Sequence, residues 1–266
     1  ITPEGEHWLV YGSWHSGFTA VQLNAETGKP LNELGKPWSI NGDHSSYGDL
    51  IARRGYGRWQ ASEAPEIIYN SKTGYYYLFM AYDELSVAYN TRVARSKNIK
   101  GPYVDMVGKN ITENGGGDAY PVVTHPYKFN NSYGWVGISH CAIFNDGQDN
   151  WFYASQGRLP ANITGINASN AVMMGHVRSI RWTDEGWPLV MPERYGAVPS
   201  VAIKEEELVG EWEHINMGYN YQKQFTAVSL KLNSSNISEG ALTGSWNFDA
   251  TKQTVTVGGV DRKSVV

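Results

Sequence analysis

An aromatic-led apolar run preceded by a Gly/Asn/Asp turn recurs along the chain near Trp8, Tyr75 and Trp151, with a weaker echo at Trp187. The spacing is about seventy residues, and no helix-length stretch shows a 3.6-residue apolar period. Repeated antiparallel units without helices confine the chain to an all-β architecture, a propeller or a large sandwich. The repeat is longer than common propeller blades, so long loops must decorate one face, which is where sites are built. Strands are expected at 8–14, 17–23, 75–81, 91–96, 134–144, 151–156, 177–182 and 187–190. Near residue 200 the pattern changes to clean alternation at 225–232, 240–248 and 254–257. That second region reads as a small antiparallel barrel or sandwich, giving domains 1–199 and 200–266.

Composition narrows the partners. Aromatics reach 13%, with 10 Trp and 17 Tyr, which suits β-structure and the flat apolar faces of sugars. A net charge of −4 argues against a nucleic acid or an anionic membrane as partner. The single cysteine, Cys141, excludes an internal disulfide, and no apolar run approaches the length of a transmembrane helix.

The most informative stretch is 62–83. Glu63 stands before Ala64-Pro65, an apolar strand follows, a turn spans 70–74, and an aromatic strand returns. A lone carboxylate at the base of a hairpin is either an ordinary strand-entry residue or an acid whose pKa burial can raise. Alternation places Glu66 on the opposite face, solvated. His140, between Ser139 and Cys141, is either a core histidine or a ligand. Trp14 follows a strand end and is a sugar platform or a core residue. Arg92 and Arg158 are candidates for orienting a carboxylate or a sugar hydroxyl, with surface ion pairing as the plainer role. Asp43, Asp49, Asp83 and Asp118 lie in or beside loops, and no physical ground chooses a base among them.

Six segments occur in an order that resembles a known family. They are Tyr11-Gly12-Ser13-Trp14, Glu63-Ala64-Pro65, Gly74-Tyr75-Tyr76-Tyr77-Leu78-Phe79, the run 89–96 with Gly101-Pro102-Tyr103, Gly137-Ile138-Ser139-His140, and Val190-Met191-Pro192-Glu193-Arg194-Tyr195. Together they resemble glycoside hydrolase family 43, in particular endo-1,5-α-L-arabinanases with an appended C-terminal β-barrel. The resemblance implies a five-bladed β-propeller, with the first blade and part of the second missing from this chain, and it implies that the end of the barrel is missing too. It implies hydrolysis of α-1,5-linked arabinan with inversion by a secreted or periplasmic protein acting on cell-wall arabinan or arabino-oligosaccharides. Glu63 falls where the family has its general acid. The family's general-base and pKa-tuning aspartates fall upstream of Ile1, so neither role is carried onto a residue here. His140 falls where the family holds a cation, usually calcium with sodium as an alternative, largely through water. Trp14, Arg92 and Arg158 are the substrate-binding candidates. Two other readings stand beside this one: a non-catalytic carbohydrate-binding propeller, and an exo-acting arabinofuranosidase or xylosidase of the same clan.

Overall fold

The continuous apolar run at 75–82 forms a buried inner strand of a four-stranded sheet. The computed structural model describes residues 1–34, 47–54, 62–112, 117–161, 163–198, 201–258 and 263–265. These residues are nearly all strand, turn and loop, in two compact units: Ile1–Pro126, Trp135–Tyr195 and Met217–Lys223 form one, and Tyr127–Gly134, Gly196–Asn216 and Gln224–Val266 the other.

The first unit holds three antiparallel sheets whose strands follow chain order. The first comprises β1 (His7–Gly12), β2 (Phe18–Leu23) and β3 (Asp49–Ala52). The second comprises β4 (Ser62–Asn70), β5 (Tyr75–Tyr82), β6 (Asn90–Ser96) and β7 (Val122–Thr124). A short strand, β8 (Tyr127–Lys128), belongs to the second unit. The third sheet comprises β9 (Ala142–Asn145), β10 (Trp151–Gly157), β11 (Met174–Trp182) and β12 (Pro188–Val190), with Pro188 on the edge strand where its missing N–H costs no ladder bond.

Side chains alternate faces along β5. Tyr76, Leu78, Met80 and Tyr82 pack with Phe18, Ala20 and Ile51 of the first sheet. Tyr77 and Phe79 pack with Ile143, Tyr153 and Ile180 of the third. The middle sheet is therefore covered on both faces, and a strand covered on both faces reads as an unbroken apolar run. Face-to-face stacking of consecutive meanders is the arrangement of neighbouring propeller blades. It places β4 between β1 and β9, so the start of β4, which carries Glu63, lies among the leading strands of three sheets.

In the second unit, β13 (Gly210–His214), β15 (Val228–Leu232), β16 (Ile237–Gly240), β17 (Gly244–Asp249), β18 (Thr254–Val257) and β19 (Lys263–Val265) form one sheet around Leu208, Leu230, Leu232, Trp246, Val255 and Val257. β14 (Phe225–Thr226) pairs in parallel with β8. The expected single strand at 240–248 is instead split by a turn. A Cβ on Gly240, at φ 90°, would sit 2.3 Å from the Ser229 carbonyl oxygen, so only glycine fits there. The strand expected at 134–144 also does not form as one piece. Gly134, Gly137 and His140 all take positive φ (65°, 72° and 54°), and regular pairing begins only at Ala142. His140 is consequently a loop residue.

Candidate active site

Glu63 owes its position to a bulge. In the β4–β5 ladder Glu63 faces Ala81 and Glu66 faces Phe79, three residues on one strand against two on the other. The irregularity falls at Ala64, held at φ 52°, and at Pro65, which has no N–H for a ladder bond. Ala81 and Phe79 are two apart and share a face, so Glu63 and Glu66 share one too. This corrects the expectation from simple alternation, which put Glu66 on the opposite, solvated side. Glu66 is half-buried, accepts a bond from the Ile143 backbone, and has its pKa raised by burial. The Glu63 side chain is 35% exposed.

Two residues distant in sequence converge on Glu63. The Tyr89 hydroxyl donates to Glu63 Oε1 at 2.5 Å and lies 3.4 Å from His140 Nδ1. His140 Nδ1 is itself 3.9 Å from Glu63 Oε1, too long for a hydrogen bond, so Tyr89 bridges the two. Burial, then the bond to Glu63 and its charge, push the Tyr89 phenol well above its usual range, and it stays a donor. Its single proton goes to the nearer acceptor, the carboxylate. The longer contact to His140 Nδ1 is the one in which the ring nitrogen can act as donor to the phenol oxygen. Glu63 Oε2 has no hydrogen-bond partner among the described residues.

Beneath this group lies a buried hydroxyl cluster. Thr91 Oγ1 is 2.7 Å from both Ser139 Oγ and the Tyr153 hydroxyl, and Thr124 Oγ1 donates to the Ile138 carbonyl at 3.0 Å. Ser139 Oγ also donates to the Asn90 carbonyl at 3.1 Å. The neighbours of both His140 and Tyr89 are thereby fixed to one another.

An ionic cluster closes the same end of β5 and β6. Arg54 bonds Asp83 at 2.8 Å and Asp118 at 2.6 Å. Asp83 also accepts from the Asn90 side chain at 3.1 Å and from the Tyr219 hydroxyl. Arg92 belongs to this cluster. It is fully buried, donates to Asn90 and, at 2.8 Å, to the Ala119 carbonyl, and packs over the rings of Tyr82, Tyr120 and Tyr219. Expected at the substrate, Arg92 has no exposed edge to offer a sugar; its work is to order the strand ends. Arg158 is also nearly buried, donating to Asn170 at 2.7 Å and the Leu159 carbonyl at 3.0 Å, while its backbone pairs with Val136 ahead of His140.

Trp14 is 42% exposed, in a single 3₁₀ turn (Trp14–Ser16) beside β4, and its φ of 56° is uncommon for a non-glycine residue. Asp49 is exposed and pairs with Lys100, and Asp43 lies outside the described residues. A cavity of about 560 Å³ lined by Tyr75, Arg95, Lys97, Asp105 and Trp187 opens at the far end of β5, roughly 20 Å from Glu63 at strand rise. Tyr89, Glu66's true face and Tyr219 are what sequence reasoning missed. Tyr89 opens the run 89–96 but nothing there gives it a role, Tyr219 stands in none of the six segments, and their contacts span 26 and 136 residues.

Two family models match the chain. Residues 1–188 match the model of the glycosyl hydrolases family 43, and residues 192–266 that of a C-terminal lipocalin-like domain. The chain belongs to glycosyl hydrolase family 43. Within this family, it is 30% identical over 261 residues to an extracellular endo-alpha-(1->5)-L-arabinanase of Thermotoga petrophila, covering 91% of this chain and 50% of that protein. It is 28% identical to extracellular endo-alpha-(1->5)-L-arabinanase 2 of Bacillus subtilis, covering 91% of this chain and 51% of that protein. The chain thus spans about half the length of the curated relatives it matches. The crystal structure of the Thermotoga petrophila endo-1,5-alpha-L-arabinanase superposes with a TM-score of 0.78 at 26% identity, over 99% of this chain and 57% of that one.

Proposed function

We propose that this chain carries the general acid of an inverting hydrolase of α-1,5-linked arabinan, and that Glu63 is that acid. The observation that carries the reading is the convergence of Tyr89 and His140 on Glu63. A donor holds Oε1, while Oε2 has no described partner and the side chain is partly exposed, so a proton on Oε2 can reach a leaving-group oxygen. The arabinan substrate is supported by the two endo-arabinanase relatives, and the extracellular label they share supports a secreted protein. Among the described residues no helix is long and apolar enough to cross a membrane. The stacked meanders and the likeness to an arabinanase structure support a five-bladed propeller.

Inversion needs a second carboxylate about 6.5–9.5 Å from the acid to activate water. Asp83 and Asp118 are engaged with Arg54, and Asp49 with Lys100, so the base is assigned to none of them. Trp14, exposed beside β4, is the sugar platform, and Arg158 fixes the backbone that leads to His140. His140 Nε2 offers one protein ligand to a cation. Calcium wants six to eight oxygens, and no described group of three or more His, Cys, Asp or Glu could hold an ion, so water supplies the remaining ligands of calcium or sodium. Such an ion would add positive charge near the acid.

The test is the full-length protein on linear arabinan, with the anomer of the first product followed by NMR. Release of arabino-oligosaccharides as the inverted anomer is the expected result. Binding without any sugar release would sink the catalytic reading in favour of a binding propeller, and release of single arabinose units from chain ends would mark an exo enzyme. A relative named as an extracellular exo-alpha-(1->5)-L-arabinofuranosidase, from Cellvibrio japonicus, is 26% identical over 75% of this chain. In the same protein, His140→Ala should abolish any calcium-dependent rise in melting temperature. An unchanged rise would remove His140 from the cation site.

A further inference from the structure

The connection between β13 and β14 contributes Met217–Lys223 to the first unit. Three of its side chains bond to the loop between β5 and β6. The Tyr219 hydroxyl donates to the Asp83 carboxylate and lies 3.3 Å from the Ala88 carbonyl. Tyr221 and Gln222 reach Glu84 at 3.2 and 3.1 Å. The Arg92 guanidinium packs over the Tyr219 ring, 4.6 Å from its centre.

These ties converge on the residue that holds Glu63. The Asn90 side chain donates to the Ala88 carbonyl at 2.9 Å and to Asp83 at 3.1 Å, so the residues on both sides of Tyr89 are joined through the acceptors that Tyr219 reaches. Tyr89 then projects its hydroxyl to within 2.5 Å of Glu63 Oε1. A brace serving stability alone could attach anywhere along 83–88. Its Tyr219 attaches at Asp83 and at Ala88, the base of the loop and the carbonyl next to Tyr89, while Tyr221 and Gln222 hold Glu84. Burial, followed by the bond to Asp83 and its charge, raises the Tyr219 pKa, so the hydroxyl remains a donor over the working pH range.

We propose that Tyr219 is a positioning residue for the general acid: through Asp83, Ala88 and Asn90 it sets the place of Tyr89, and through Tyr89 the direction in which Glu63 presents its proton. The proposal rests on the assignment of Glu63 as the acid. The bonds of Tyr219 go to Asp83 and Ala88 and not to Glu63, so its removal should weaken proton delivery and leave sugar binding alone.

Tyr219→Phe keeps the ring beneath Arg92 and removes only the hydroxyl. In the full-length protein it should lower kcat on arabinan roughly tenfold with KM little changed, since small misplacements of a catalytic group carry costs of that order. On an aryl arabino-oligosaccharide with a dinitrophenyl leaving group, which departs without protonation, the loss should stay within about twofold. Tyr89→Phe should show the same dependence on leaving group, and the double variant should lose no more than Tyr89→Phe alone, because residues acting in series are not additive. Equal losses on both substrates, no loss on arabinan, or additive losses in the double variant would each overturn the proposal. Glu63→Gln is assayed beside them. If it retains full arabinan activity, the acid assignment itself fails. If it loses that activity while Tyr219→Phe does not, only the positioning role fails.

Discussion

Glu63→Gln is expected to lower kcat/KM on unactivated arabinan by about 10²–10⁴-fold, the usual contribution of a general acid, with much of the loss recovered on a substrate whose leaving group needs no proton. Glutamine keeps an oxygen for the Tyr89 hydroxyl, so the bulge and the loop above it should survive. What it cannot do is deliver a proton from the position of Oε2. Glu66→Gln is the matched control. Glu66 lies on the same face, is half-buried, and has its pKa raised by burial, so it resembles a catalytic acid by environment. It is tied to the Ile143 backbone, however, and carries no Tyr89 contact. Its loss should reduce activity far less. Sugar release by both variants, normalised to folded protein, decides the matter. A Glu63→Gln protein within tenfold of the parent, or a Glu66→Gln protein as damaged as Glu63→Gln, would reassign the acid.

The hairpin that carries Glu63 is legible in the sequence because local chemistry sets it. Asn70 to Gly74 supplies a turn with Gly74 at φ 65°, and the unbroken run after it has the signature of a strand buried on both faces. The bulge is not legible in the same way. Ala64-Pro65 signals irregularity but does not say whether a residue is inserted, and one inserted residue reverses the face of everything beyond it. That is why alternation misplaced Glu66. Arg92 shows a second limit. Nothing in 89–96 distinguishes an arginine that meets solvent from one enclosed by Tyr82, Tyr120 and Tyr219, because all three rings arrive from outside that run. Likewise His140 could be singled out by residue type, but its loop conformation depends on Gly134, Gly137 and His140 all adopting positive φ. Tyr89 opens the run 89–96, but nothing in that run assigns it a role, which exists only once the loop after β5 brings it to Glu63.

Asp83→Ala should be the most destabilising single change at this end of the molecule, by about 3–5 kcal/mol, because it removes one partner from a buried charge pair and leaves the other in place. The Arg54 and Asp83 side chains are 2% and 0% exposed, so water cannot take over the lost contact. Arg54 would have to share Asp118, and the Asn90 side chain and the Tyr219 hydroxyl would each lose an acceptor. The backbone gives a second discriminator. Asp83 sits at φ 68°, a conformation that Asn adopts more readily than Ala, for which it costs a strain of about 1–3 kcal/mol. Asp83→Asn retains an oxygen acceptor and the tolerated conformation but loses the charge, so it should fall between the parent and Asp83→Ala. Asp83→Gly relieves the strain without restoring any bond, and comparison with alanine isolates the backbone contribution. Amide exchange along β5 and β6 reads the opening of this region directly and does not depend on the second unit unfolding with it. Because the pair is enclosed, the ranking should hold in high salt, where an exposed pair such as Asp49–Lys100 would be screened. An Asp83→Ala protein within about 1 kcal/mol of the parent would show that the remaining partners of Arg54, Asp118 among them, can hold it, and that the loop carrying Tyr89 does not depend on the ion pair at its base.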